Sequence, residues 1–81
     1  QKVVPAAGLL VEAMRIAELI AAQAPLAVVA TRQNALQALE LGPAAAVQTL
    51  SDTQQVLSRS ADAAEGVRAF VEKRSPRFNG A

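Results

Sequence analysis

Proline and glycine cut this chain into four stretches of helix length, and that punctuation limits the fold more than any other feature. The prolines are Pro5, Pro25, Pro43 and Pro76, with Gly42 directly before Pro43. Proline pushes its predecessor out of the helical region and lacks an N–H, so it ends one helix and suits the first turn of the next. Between these stops the apolar residues follow a helical period, and no stretch alternates as a strand would. The spacing predicts an all-α single (sub)domain over 1–81, with about four helices near 7–24, 26–41, 43–59 and 63–74, short connections and a tail over 75–81.

Each segment carries its own signals. Val3-Val4-Pro5 reads as a short extended lead-in. In the first helix Leu10, Ala13, Ala17, Ile20 and Ala24 share a face, yet Val11 and Leu19 project from the polar arc of Glu12, Arg15 and Glu18. A helix apolar on both sides is expected to be covered on both sides. In the second, Val28, Val29, Leu36 and Leu39 share a face with Arg32 in its middle. Gly42 suits a left-handed C′ position. The third helix has a narrow stripe of Val47, Leu50 and Leu57 beside a wet face of Gln48, Asp52, Gln54 and Gln55, which places it outermost. Asp62 and Glu65 read as a capping box for the fourth, whose apolar face holds Ala63, Gly66, Val67, Phe70 and Val71. Gly66 weakens a helix, and close approach of another backbone is the reading for it.

Composition excludes several kinds of chemistry. The 81 residues contain no Cys, His, Trp or Tyr. A disulfide framework and a Cys/His zinc site are out, and so are the commonest general base and the thiol nucleophile. The net charge of +1 argues against non-specific nucleic-acid binding. Glu12, Arg15 and Glu18 keep any run below the roughly 18 uncharged residues of a membrane span. A chain this short buries only about 60–65% of its unfolded surface. Much of its 52% hydrophobic content is Ala, so burial against something outside the chain is expected. The opening residue, Gln1 rather than Met, sets the same expectation of a fragment or processed piece.

Two features could carry function. The carboxylate sets Glu12 with Glu18 and Glu65 with Glu72 could in principle do acid–base work, but their spacings also suit ion pairs with Arg15 and Arg68. At the basic end of the chain, Lys73, Arg74 and Arg77 lie near Phe70 and Phe78, the two aromatic residues. Phe70 and Lys73 are i, i+3 neighbours, so a ring and an ammonium group could hold a flat base and a phosphate together. Alternatively Phe70 fills a core and Lys73 is a solvated charge favoured by the helix dipole. Arg32 has two readings as well: an interface ion pair with a buried stem, or a ligand contact.

The closing residues resemble a known family. Ser60, Asp62, Glu65-Gly66, Ala69-Phe70, Glu72-Lys73-Arg74, Pro76, Phe78 and Gly80, in that spacing, are similar to the last segment of the crotonase superfamily, of which enoyl-CoA hydratase is the best-known member. Val3-Val4-Pro5, Ala17-Glu18, Ile20-Ala21 and Pro25 to Val28 resemble the stretch after that family's last core strand, and Arg32 falls where Lys is frequent. The resemblance implies an enzyme of fatty-acid metabolism, a lyase in the hydratase case, that binds acyl-CoA as substrate and carries no covalent cofactor or metal. Two backbone N–H groups hold the thioester oxygen there, and two glutamates of a larger N-terminal β/α core handle water and protons. No catalytic residue is therefore expected among Glu12, Glu18, Glu40, Glu65 and Glu72. The resemblance also implies that these helices form a trimerisation and lid subdomain, that the partners are the N-terminal core, acyl-CoA and further copies in a trimer or hexamer, with no nucleic acid or membrane, and that the protein is cytoplasmic. It places Phe70 and Lys73 by the CoA adenine and phosphates. The competing reading is a free-standing helical interaction module without activity.

Overall fold

In the structure, a computed structural model describing residues 2–81, the chain folds into four helices, with no strand among the described residues. They are α1 (Leu9–Ala21), α2 (Pro25–Leu41), α3 (Pro43–Ser58) and α4 (Ala61–Val71), and a 3-10 turn over Ala6–Gly8 leads into α1. The all-α expectation holds, and the boundaries of α1 and α4 move by two residues or more, α1 beginning at Leu9 after the 3-10 turn instead of at 7. Helix α1 stops at Ala21 rather than at 24, because the residue before Pro25 must be extended and Ala24 takes φ −62°, ψ 116°. Helix α4 starts two residues earlier than expected, at Ala61, and stops at Val71 instead of 74.

Helices α2 and α3 form a hairpin on a single linking residue. Gly42 sits at φ 92°, ψ 161°, a conformation essentially reserved for glycine. It is not the left-handed helical position expected of it, and the extended ψ turns the chain at once into Pro43. The two helices approach through small residues. Ala46 is buried, Ala27, Ala30 and Ala38 are half-buried, and the Asn34 side-chain amide donates to the Ala46 carbonyl at 3.0 Å. Thr49 donates to Gln37 across the same seam at 3.0 Å. The expected stripe on α3 is only partly used: Leu57 is half-buried while Val47 and Leu50 stay exposed. Helix α3 packs mainly against α2 and touches α4 where the chain passes from one to the other. Its wet face of Gln48, Asp52, Gln54 and Gln55 is exposed as read.

Helix α1 stands apart. The segment Ala6–Ala21 is turned 109° from Pro25–Leu41, and α1 buries none of its residues. Leu9, Leu10, Val11, Leu19 and Ile20 are exposed on both of its sides. An ion pair from Arg15 to Glu12 at 2.6 Å, joined by Lys2 at 3.3 Å, organises its polar arc.

These helices do not enclose a core of their own. The radius of gyration is 15.8 Å, against about 12 Å for a compact chain of this length. The extents, 43 × 39 × 17 Å, describe a slab. Accessible surface is 6632 Å², against about 4,600 Å² for a compact protein of this mass. The excess of about 2,000 Å² is of the order an obligate subunit interface buries. Ala46 and Ala69 are the buried hydrophobic residues among those described, and neither supplies much volume.

Candidate functional site

The last helix and the segment after it form the most elaborately bonded part of the molecule. Ser60 caps α4: its hydroxyl oxygen accepts from the Ala63 N–H at 3.0 Å while the hydroxyl donates to the Leu57 carbonyl at 2.7 Å. The cap is therefore Ser60, and the capping box read at Asp62 and Glu65 does not form. Both carboxylates instead bind residues that follow the helix.

Asp62 is only 4% exposed. Its carboxylate accepts from the backbone N–H of Asn79 at 2.9 Å and of Gly80 at 2.8 Å, and its own N–H donates to the Ala81 carbonyl at 2.8 Å. A buried carboxylate needs such donors, and a free N–H in a helix's first turn needs an acceptor, so the two ends satisfy each other. The stretch over 75–81 is thus no loose tail. It runs back along α4, and Gly80, at φ 83°, brings the chain against Pro25.

Glu65 makes the second anchor. Its two oxygens take both terminal nitrogens of Arg74, at 2.7 and 3.0 Å, and one also accepts from the Arg77 N–H at 2.8 Å. Arg68, the partner expected from spacing, lies further off at 3.5 Å. The Arg74 guanidinium, and after it the Arg77 N–H, hold the Glu65 carboxyl down at about 2. Glu72 reaches the remaining nitrogen of Arg74 at 2.6 Å. Glu65 and Glu72 therefore converge on one cation and are not an acid–base pair. The Arg74 charge is stabilised in turn, its pKa raised chiefly by Glu65. Glu12, the other early candidate, is held at about 2 chiefly by its hydrogen bond from Arg15.

Helix α4 ends in a Schellman turn. The Lys73 N–H donates to the Phe70 carbonyl at 3.3 Å and the Arg74 N–H to the Ala69 carbonyl at 3.0 Å. Glycine is usual at the turning position, but here it is Lys73, at φ 55°. A side chain there costs of order 1 kcal/mol.

The apolar face expected on α4 divides. Ala69 is 1% exposed, whereas Val67 and Val71 are exposed and Phe70 is 85% exposed. Phe70 therefore fills no core within this chain, and Lys73 is exposed one turn further on. Phe70 lies in the last turn of α4, but Lys73 lies two residues past its end in a left-handed conformation, so the two are not the i, i+3 pair of one helix that their spacing predicted. Gly66 faces the Phe78 ring, not another backbone: a Cβ there would meet ring carbons at 3.7 and 3.9 Å. A cleft of about 390 Å³ opens beside it, walled by Ala24, Leu26, Leu57, Ala63 and Phe78. Arg32 lies exposed on α2, and no carboxylate among the described residues pairs with it.

Of the closing motif, Ser60, Asp62, Glu65, Gly66, Ala69, Glu72, Arg74, Phe78 and Gly80 each have a role inside the fold. The side chains of Phe70 and Lys73 point outward. Sequence reasoning passed over Asp62 and Glu65 as anchors because their partners lie nine or more residues away. Two carboxylates spaced by three on a helix, followed by Arg74 and a glycine-ended tail, were the available signal.

A small-residue helical hairpin joined to a helix with a folded-back terminal strap, and lacking a core of its own, is a helical subdomain that fits a part of a larger protein. The enoyl-CoA hydratase/isomerase family model matches residues 1–81, and the chain belongs to that family. The structure is similar to a probable enoyl-CoA hydratase/isomerase from Mycobacterium abscessus, with a TM-score of 0.91 and 42% identity over 96% of this chain and 30% of that one. It is also similar to an enoyl-CoA hydratase/isomerase from Mycobacterium paratuberculosis, with a TM-score of 0.83 and 38% identity over 96% of this chain and 31% of the other. For an enoyl-CoA hydratase from Mycobacterium tuberculosis H37Rv the TM-score is 0.80 and the identity 35%, over 91% and 29%. The chain thus spans about 30% of the length of these solved structures. No curated protein matches it.

Proposed function

We propose that this chain is the C-terminal oligomerisation and CoA-covering region of an enoyl-CoA hydratase/isomerase-family enzyme, with hydration of a 2-enoyl-CoA as the reaction of the whole protein. Family membership supports the enzyme class. The surface excess of about 2,000 Å² supports the covering and oligomerisation role, because a slab of exposed apolar side chains is stable only against another body. The N-terminal core of the same protein and neighbouring subunits in a trimer or hexamer are the partners this reading requires, and a cytoplasmic location accompanies it.

The observation that carries the ligand contact is Phe70, 85% exposed at the end of α4, with Lys73 three residues on, exposed and in no ion pair among the described residues. In this reading Phe70 stacks on the adenine and Lys73 meets the phosphates. The test is calorimetric binding of CoA to the complete enzyme and to its Phe70→Ala and Lys73→Ala variants. Each loss is expected to weaken binding roughly tenfold or more, from about 1–3 kcal/mol per stacked base and a comparable charged contact. Unchanged affinity in both variants removes the contact. Sedimentation of the complete enzyme as a monomer would remove the oligomerisation role, and an enoyl-CoA left unhydrated would remove the reaction.

A further inference from the structure

We propose that Glu65 is a positioning residue for this CoA contact: by clamping Arg74 and the Arg77 N–H, it holds Lys73 in the left-handed turn that sets the direction in which its side chain leaves the backbone. The inference rests on the reading of Phe70 and Lys73 given above.

Lys73 occupies a conformation it would not choose, at φ 55°. Left to its own preference, the chain would either continue α4 through Lys73 or fray, and in both cases the lysine would leave in another direction. The two hydrogen bonds of the Schellman turn hold it from the helix side. From the other side the restraint is Glu65. It takes Arg74, the residue immediately after Lys73, with two bonds of 2.7 and 3.0 Å, and fastens Arg77 three residues on at 2.8 Å. Both anchors end on one carboxylate, whose own backbone lies in the middle of α4. The strap after Lys73 is therefore tied to the helix that carries Phe70, so the Lys73 backbone is fixed relative to that helix. Glu72 touches Arg74 at 2.6 Å but is itself exposed and lies in the turn, so it cannot substitute as a fixed point.

A residue that acts through Lys73 has a signature that plain folding damage lacks. Once Lys73 is gone, losing Glu65 should cost nothing further, since coupled residues are non-additive and independent ones add. The experiment measures the dissociation constant for CoA in the complete enzyme carrying Glu65→Gln, Lys73→Ala or both. Each single variant is expected to weaken CoA about tenfold, roughly the share of one charged contact, and the double variant no more than either alone. Additive losses, or a Glu65→Gln protein that binds CoA as tightly as the parent, overturn the inference. A Lys73→Ala protein with unchanged affinity overturns the underlying reading as well, so the two failures are told apart. Arg74→Met breaks the clamp from its other end and is carried through the same cycle, so the outcome does not depend on Glu65→Gln folding.

Discussion

The ring of Phe78 stands 3.7 Å from the point where a Cβ on Gly66 would lie. That is ordinary van der Waals contact, so the glycine is not forced by lack of room. Glycine within a helix is less favourable than alanine by roughly 1 kcal/mol. Gly66→Ala is therefore expected to stabilise the protein by up to about 1 kcal/mol through restricted unfolded-chain freedom, with a new methyl against Phe78. Denaturant unfolding of the two proteins measures this. A loss of stability would show that the α4–Phe78 contact has no slack.

Asp62 gives the opposite expectation. Its carboxylate is the acceptor for two backbone N–H groups, on Asn79 and Gly80, in a buried setting. Removing it leaves both donors without a partner. Asp62→Ala is expected to cost about 3 kcal/mol and to release the strap over 75–81. Hydrogen exchange at the Asn79 and Gly80 amides reports this directly, as does proteolysis beyond Arg74. Unchanged protection of both amides would contradict the anchor.

Acid should loosen the same region by a different route. The Glu65 carboxyl is held at about 2 by Arg74 and the Arg77 N–H, below its ordinary 4.5. A depressed carboxylate contributes stability that is fully present above the unfolded value and is lost as pH falls through the folded one. Stability is thus expected to decline from near pH 4.5 towards pH 2, and Glu65→Gln should flatten that slope. Glu12, likewise held at about 2 by Arg15 and then Lys2, contributes over the same range from α1, so Glu12→Gln removes a separate share. Unfolding midpoints measured from pH 2 to 7 for the three proteins separate the contributions.

What could be read from the residues was whatever is decided within a turn or two of chain. Pro25 and the Gly42-Pro43 pair act sterically on their immediate neighbours, and the breaks at those points follow from them. The Phe70–Lys73 pairing rested on helical spacing, and it does not carry over, because α4 ends at Val71 and Lys73 leaves the helix in a left-handed turn. The anchors could not be read in this way. Glu65 meets Arg74 and Asp62 meets Asn79 and Gly80 only because the strap turns back, and nothing local to either carboxylate announces it. The left-handed residue was expected at Gly42 and occurs at Lys73, where no glycine marks it. The outward aim of Phe70 was hidden too, since an apolar stripe has the same period whether it faces its own chain or another body.

The 81 residues by themselves are expected to behave as an incomplete object. Helix α1 buries nothing, and α4 shows Val67, Phe70 and Val71 to solvent. Exposed apolar area on this scale drives association. Sedimentation of the isolated chain should show self-association with strong binding of a hydrophobic dye and a broad melt. A monodisperse monomer with a cooperative melt would favour a free-standing interaction module instead.

Lys73 offers a test in which stability and binding part company. Lys73→Ala removes the ammonium but leaves a Cβ in the left-handed turn, whereas Lys73→Gly removes both. Relief of that backbone conformation is worth of order 1 kcal/mol, partly offset by the greater freedom of glycine in the unfolded chain. The glycine variant should therefore be at least as stable as the parent and more stable than the alanine variant by up to about 1 kcal/mol. Both should lose CoA affinity in the complete enzyme to a similar degree. Thermal melts and CoA titrations of the pair check the two halves independently. A glycine variant less stable than the parent would mean that the Lys73 side chain itself holds the turn, and the ammonium would then belong to the fold instead of the ligand.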